Sequence, residues 1–130
     1  MVELIVGPSK KLRDALLVND PTATLPAPIR VTALIDTGAS VSVVNEFVIR
    51  QLGINPIGSV DIHTPSTTAA VSCRQFHVDV LFPNGVAVPD AVVIEMPLGM
   101  QNIQCLIGRD ILRHGVLVYI GYANQFTLSF

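Results

Sequence analysis

Ala33-Leu34-Ile35-Asp36-Thr37-Gly38-Ala39-Ser40 is the stretch on which the reading of this sequence turns. It sets an acid directly after three apolar residues, at the end of a run from Ile29 to Ile35 that reads as a strand. Burial there penalises a carboxylate. An isolated Asp so placed commonly makes or caps a turn, and Asp-Thr-Gly is short enough to recur by chance. Val41 to Val44 is β-branched and reads as a second strand, so the acid occupies the turn of a strand-turn-strand unit. Asn45 is placed to cap a short helix through Gln51, and Gly53 suits a left-handed exit, with Phe47, Val48 and Leu52 as the buried face.

Downstream, Val60 to Thr64 and Val71 to Phe82 read as long strands joined by the small polar tip Pro65-Ser66-Thr67-Thr68-Ala69, a projecting hairpin. Pro83-Asn84-Gly85 is a turn, and Ala91 to Glu95 the next strand. Ile103 to Ile107 is a strand that runs into Gly108-Arg109-Asp110 and one or two turns of helix. Val116 to Ile120 and Gln125 to Phe130 form a terminal hairpin. Upstream, residues 1–7 read as extended, 8–18 as a helical turn or loop, and 19–28, with Pro21, Pro26 and Pro28, as a linker or edge segment. The expectation is an all-β architecture with about eight short strands and two short helices.

Composition agrees. In 130 residues, half are apolar and 14% charged, with no Trp, so the core has to come from Val, Ile and Leu. A net charge of -2, with the Lys and Arg residues scattered, argues against nucleic-acid binding. Cys73 and Cys105 are too few for a disulfide framework and lack metal-ligand spacing with His63, His77 or His114, so they read as reduced core thiols, with no metal and no cofactor expected. No apolar run approaches the ~20 residues of a membrane span, and a soluble, cytoplasmic protein without membrane partners is the expectation. The high apolar content of so small a chain hints at a partner subunit.

A second element lifts Asp36 above the turn-making reading: Leu106-Ile107-Gly108-Arg109-Asp110-Ile111-Leu112, two apolar residues and a glycine followed by a helix. Together the two motifs resemble the retropepsin-like aspartic proteases, of the single-domain cellular or bacterial type, over roughly Ile29 to Phe130. The resemblance implies a closed β-barrel that forms one half of a homodimeric enzyme, with residues 1–28 an N-terminal extension or linker and 29–130 the protease domain. It implies Asp36 as the catalytic acid, Thr37 bracing the loop across the dimer axis, and Gly38 allowing close backbone approach. Ala39 would face the dyad floor and Ser40 line the cleft, while Leu106, Ile107 and Gly108 would form a psi-shaped support beneath the acid. Residues 60–80 would supply a flap, with Thr64, Pro65, Ser66, Thr67 and Thr68 at the substrate.

Two carboxylates sharing one site cannot both ionise cheaply, so such a pair holds one proton. The ionised member takes a proton from water, which attacks the peptide carbonyl, while the protonated member hydrogen-bonds the carbonyl oxygen. The chain has a single Asp-Thr-Gly, so the mechanism requires a second copy. A two-fold dimer is the commonest way to supply one, and the terminal hairpin from Val116 to Phe130 is the expected interface.

Departures from retroviral members are visible. Ser40 stands where those carry an Asp that pairs with the Arg of the Gly-Arg turn, leaving Arg109 to Asp110, Glu46, a terminus or a helix-start role. The flap tip lacks paired glycines. Asp61 and Asp79 read as solvent-facing, Asp90 as a strand start, Asp110 as first-turn helix charge and the three His as surface or edge residues. No Ser or Cys lies in a nucleophile elbow. The expected function is an endopeptidase acting on extended peptides. A catalytically silent dimerisation or peptide-binding module of the same fold is the alternative, and a small barrel with Asp36 as a mere turn residue the third reading.

Overall fold

The structure, a computed structural model, describes residues 2–63, 69–99 and 102–130. Chain order is β1 (Val2–Pro8), α1 (Lys10–Asn19), β2 (Ile29–Ile35), β3 (Val43–Asn45), α2 (Glu46–Leu52), β4 (Gly58–Ile62), β5 (Val71–Leu81), β6 (Ala87–Met96), β7 (Cys105–Ile107), α3 (Arg109–Leu112), β8 (Val116–Ile120) and β9 (Gln125–Ser129).

Six strands run β1-β2-β7-β3-β6-β5, and β5 pairs back onto β1, closing a barrel; β4 adds outside β5. Closure removes open edges from the six. The mostly-β architecture with a closed barrel and short helices is the one expected. Alternation along β5 puts Phe76, Val78 and Val80 inward, where they join Leu4, Val6, Val31, Ala33, Val44, Leu52, Val93 and Ile107 in one core, while Cys73 is buried on the opposite face in a separate cluster. Each fully buried Val, Leu or Ile contributes about 1.5–3 kcal/mol, so the barrel rests on aliphatic packing.

The N-terminal segment departs from the expected boundary at residue 28. Instead of standing outside the domain, β1 is a stave of the barrel, antiparallel to β2 (Val6 opposite Ile29) and to β5 (Val6 opposite Val80), with Leu4 and Val6 in the core. Residues 20–28, by contrast, contain no helix or strand, as their prolines dictate.

Helix α1 buries no residue. Ser9 caps it, and Asp79 holds it: that carboxylate accepts from the Lys10 backbone N–H (3.2 Å), the Arg13 guanidinium (2.8 Å) and the Asp90 N–H (2.8 Å). Asp79 therefore does not face solvent alone; it sits where the β5–β6 register shifts between Val78 and Val80, and the bulge turns it toward α1. Asp90 lies within β6, not at its start, with φ of 53°. In α2 the caps are as expected, Asn45 accepting from the Phe47 N–H and Gly53 left-handed. Phe47 itself is not in the core. It is 62% exposed beneath the Arg50 guanidinium, and Ile49 joins Val48 and Leu52 on the buried stripe, because Phe47 falls on the opposite side of the helix.

The β8–β9 hairpin is a separate two-stranded sheet. Leu117 and Leu128 pair across it and pack on the barrel, and Phe130 meets Phe82 at 5.3 Å between ring centres.

Candidate active site

β2 delivers Asp36 and β3 carries the chain away from it, but the two do not pair with each other. β7 lies between them, parallel to β2 (Ile35 opposite Ile107) and antiparallel to β3 (Val43 opposite Leu106). The 36–42 loop must therefore pass around the end of β7, and it is bonded there. Asp36 N–H donates to Ile107 O (2.9 Å) and Arg109 N–H to Ala39 O (2.9 Å). Within the loop, Ala39 N–H donates to Asp36 O (3.2 Å) and Gly38 N–H to the Asp36 carboxylate oxygen Oδ1 (3.1 Å).

The two glycines answer to this geometry. A Cβ on Gly108 would stand 2.6 Å from Val41 O and 3.0 Å from Ala39 O, so only glycine lets β7 end directly beneath the loop. A Cβ on Gly38 would come 3.3 Å from Asp36 Oδ1. Ile107 and Gly108 are buried, Leu106 half-buried. Asp36 and Ala39 are half-buried, and Thr37, Gly38 and Ser40 are exposed. Loop and the end of β7 thus lie together. Thr64, Pro65, Ser66, Thr67 and Thr68, expected at the flap tip, lie outside the described residues.

Asp36 presents its carboxylate at an open surface of the single chain. Oδ1 is held by the loop, and Oδ2 has no protein hydrogen-bond partner among the described residues. Beside the loop runs a small apolar cluster: Val43, Cys73 and Ile94, with Val41, Val60, Ile62, Met96, Leu98 and Leu106 packed on it. It joins the base of the β4–β5 hairpin to the strands that carry the acid.

Arg109 makes no ion pair among the described residues; its contribution is the backbone bond to Ala39. Asp110 does more than suit a helix dipole, because both of its oxygens accept from Ser42, at 2.6 Å from the hydroxyl and 3.0 Å from the N–H. Sequence reasoning missed this pair; a Ser six residues after the acid and an Asp two after the glycine carry no local signal. Both cysteines are free and buried. Burial, and then the nearby Asp110 charge, push the Cys105 thiol up to about 12. No cluster of metal-ligating side chains occurs among the described residues, and no helix there is long and apolar enough to cross a membrane.

A family model described as "gag-polyprotein putative aspartyl protease" matches residues 28–114. Among solved structures, the retroviral protease-like domain of Ddi1 from Leishmania major matches with a TM-score of 0.53 at 18% identity, covering 98% of this chain and 87% of that one. No curated protein sequence matches the chain.

Proposed function

The chain belongs to the family of gag-polyprotein putative aspartyl proteases, and from that premise we propose that it is an aspartic endopeptidase whose active site is completed by a second copy of itself. One observation carries the reading. Asp36 sits on a loop locked from below by Ile107, Gly108 and Arg109, with one carboxylate oxygen fixed and the other without a hydrogen-bond partner among the described residues. A residue that only made a turn would need no such support.

In the dimer the two Asp36 carboxylates share one proton, because ionising both at close range is costly. The ionised member draws a proton from a water lodged between them, and that water attacks the scissile carbonyl. The protonated member donates to the carbonyl oxygen as negative charge develops. Thr37 braces the two loops across the axis, Gly38 keeps the approach open for an extended peptide, and Ala39 and Ser40 floor the cleft. The apolar cluster around Val41, Ile94 and Leu106 favours apolar side chains near the scissile bond. A cytoplasmic location fits the two buried free thiols.

The second copy is seated by the C-terminal hairpin. Val116, Val118, Tyr119 and Tyr122 are exposed, with Tyr119 at 67%, and β8 and β9 pair only with each other among the described strands. An isolated two-stranded ribbon is marginal in water, and a second copy covers both its side chains and its edges.

The test is Asp36→Asn in the full chain, assayed on a diverse peptide library at acidic and neutral pH. The variant keeps its barrel and its dimer and loses cleavage by at least about a thousandfold. Undiminished cleavage overturns the proposal. A wild-type dimer that cleaves nothing leaves the silent peptide-binding module in its place.

A further inference from the structure

Ser42 and Asp110 take no part in the chemistry just proposed, yet the bonds they make converge on the residue beneath the acid loop. Ser42 is fully buried. Its hydroxyl accepts from the Gly108 N–H at 2.9 Å and donates to Asp110 Oδ1 at 2.6 Å, while its own N–H donates to Asp110 Oδ2 at 3.0 Å. Asp110 Oδ1 also accepts from Ile111 N–H at 2.9 Å, which fixes the carboxylate on α3.

We propose that Ser42 and Asp110 are positioning residues that clamp the exit of the Asp36 loop to the end of β7 and so set the height and tilt of the acid. The path is short. Asp36 is bonded to Ile107 O, Gly108 follows Ile107 directly, and the Gly108 N–H is held by Ser42. On the far side, Arg109 N–H holds Ala39 O. If the Ser42 bond is lost, the Gly108 N–H is left buried without a partner, and β7 and the loop are free to separate where a Cβ could not fit before. In a symmetric dimer the displacement occurs twice, at both acids of one pair.

The clamp depends on bonds rather than charge. An amide at position 110 keeps only some of these bonds: with its oxygen in the place of Oδ1 it still accepts from the Ser42 hydroxyl and the Ile111 N–H, but its nitrogen then meets the Ser42 N–H, donor against donor. Asp110→Asn therefore weakens the clamp, and Asp110→Ala, which removes all three bonds, abolishes it.

The kinetic half of this inference rests on the peptidase reading; the structural half does not, and the experiment separates them. Ser42→Ala, Asp110→Ala, Asp110→Asn and the double alanine variant are prepared in the full chain. Backbone amide exchange is measured by mass spectrometry over residues 36–41 and over β5–β6, and kcat and KM on a peptide that the wild type cleaves. Each alanine variant is expected to exchange residues 36–41 at least about tenfold faster with β5–β6 unchanged. Each loses about tenfold or more in kcat with KM within about twofold. Asp110→Asn falls between wild type and Asp110→Ala on both counts, and the double alanine variant is no worse than the worse single one, since one clamp is being removed. Unchanged loop exchange in the alanine variants, damage from Asp110→Asn equal to that from Asp110→Ala, or additive losses overturn the proposal. Where the wild type cleaves nothing, the exchange data alone decide it. Should an alanine variant not fold, Ser42→Cys, a weaker donor and acceptor of similar size, shows the same loop-confined acceleration, and its absence overturns the clamp.

Discussion

The Asp36 loop and the β8–β9 hairpin are both short excursions from the same barrel, but one is finished within the chain and the other is not. Around the loop, the backbone groups of Asp36, Ala39, Ser42, Gly108 and Arg109 find protein partners, and β7 sits flush beneath it. The hairpin is anchored through Leu117, Leu128 and Phe130; its other face exposes Val116 and Val118, and Tyr119 is exposed beyond Leu117. The contrast separates two requirements of a shared acid pair. On the proposed reading, each acid would be held rigidly by its own chain before any partner arrives, whereas the surface proposed to recruit the partner would stay open until it does.

Three perturbations break that contrast from either side. The largest effect is expected at Gly108→Ala, where the new methyl meets backbone rather than a flexible side chain. Stability to urea should fall by about 3 kcal/mol or more, with turnover lost in whatever fraction still folds. A fall within about 0.5 kcal/mol would show that the loop is not seated on β7.

Next, Val118→Glu with Tyr119→Glu on the hairpin should leave the barrel's thermal transition nearly in place while shifting the sedimentation equilibrium to monomer. The dimer constant is expected to weaken by about a hundredfold, or about 2.7 kcal/mol. Turnover should fall with the fraction of dimer. An unchanged dimer would move the interface elsewhere on the surface.

The smallest effect is at Cys105, between the loop strands. Its thiol titrates near 12 in the folded chain against about 8.5 for a free cysteine. The unfolded chain thus releases this proton first, so stability is fully present below about pH 8.5 and declines as pH rises toward 12, by about 2 kcal/mol at pH 10. Urea melts at pH 8 and pH 10 should show this slope, and Cys105→Ala should flatten it. An unaltered slope in that variant would assign the alkaline loss to other groups.

Much of the fold was legible because its determinants are local. Asn45 and Gly53 delimit α2, Gly85 makes its turn with positive φ, and the alternation of β5 marks its inward face. The acid loop and its glycine support could be paired from sequence only through the family resemblance that the two motifs carry together. What was not legible depends on distant partners. β1 is an ordinary seven-residue strand until Val80 and Ile29 flank it, and α1 is held by a carboxylate on a β5 bulge rather than by an apolar face. Asp79 read as solvent-facing and Asp110 as a first-turn helix charge because their partners, Arg13 and Ser42, lie 66 and 68 residues away in the chain. Phe47 misled in the other direction, since hydrophobicity alone does not say which side of a two-turn helix faces inward.

The central claim is that two copies of one chain set Asp36 against Asp36. A crystal structure of the assembly that forms in solution, with the separation of the two Asp36 carboxylates as its readout, tests it most directly. The account predicts the carboxylates within hydrogen-bond reach of each other or of one shared water; acids that face apart in that assembly would contradict it.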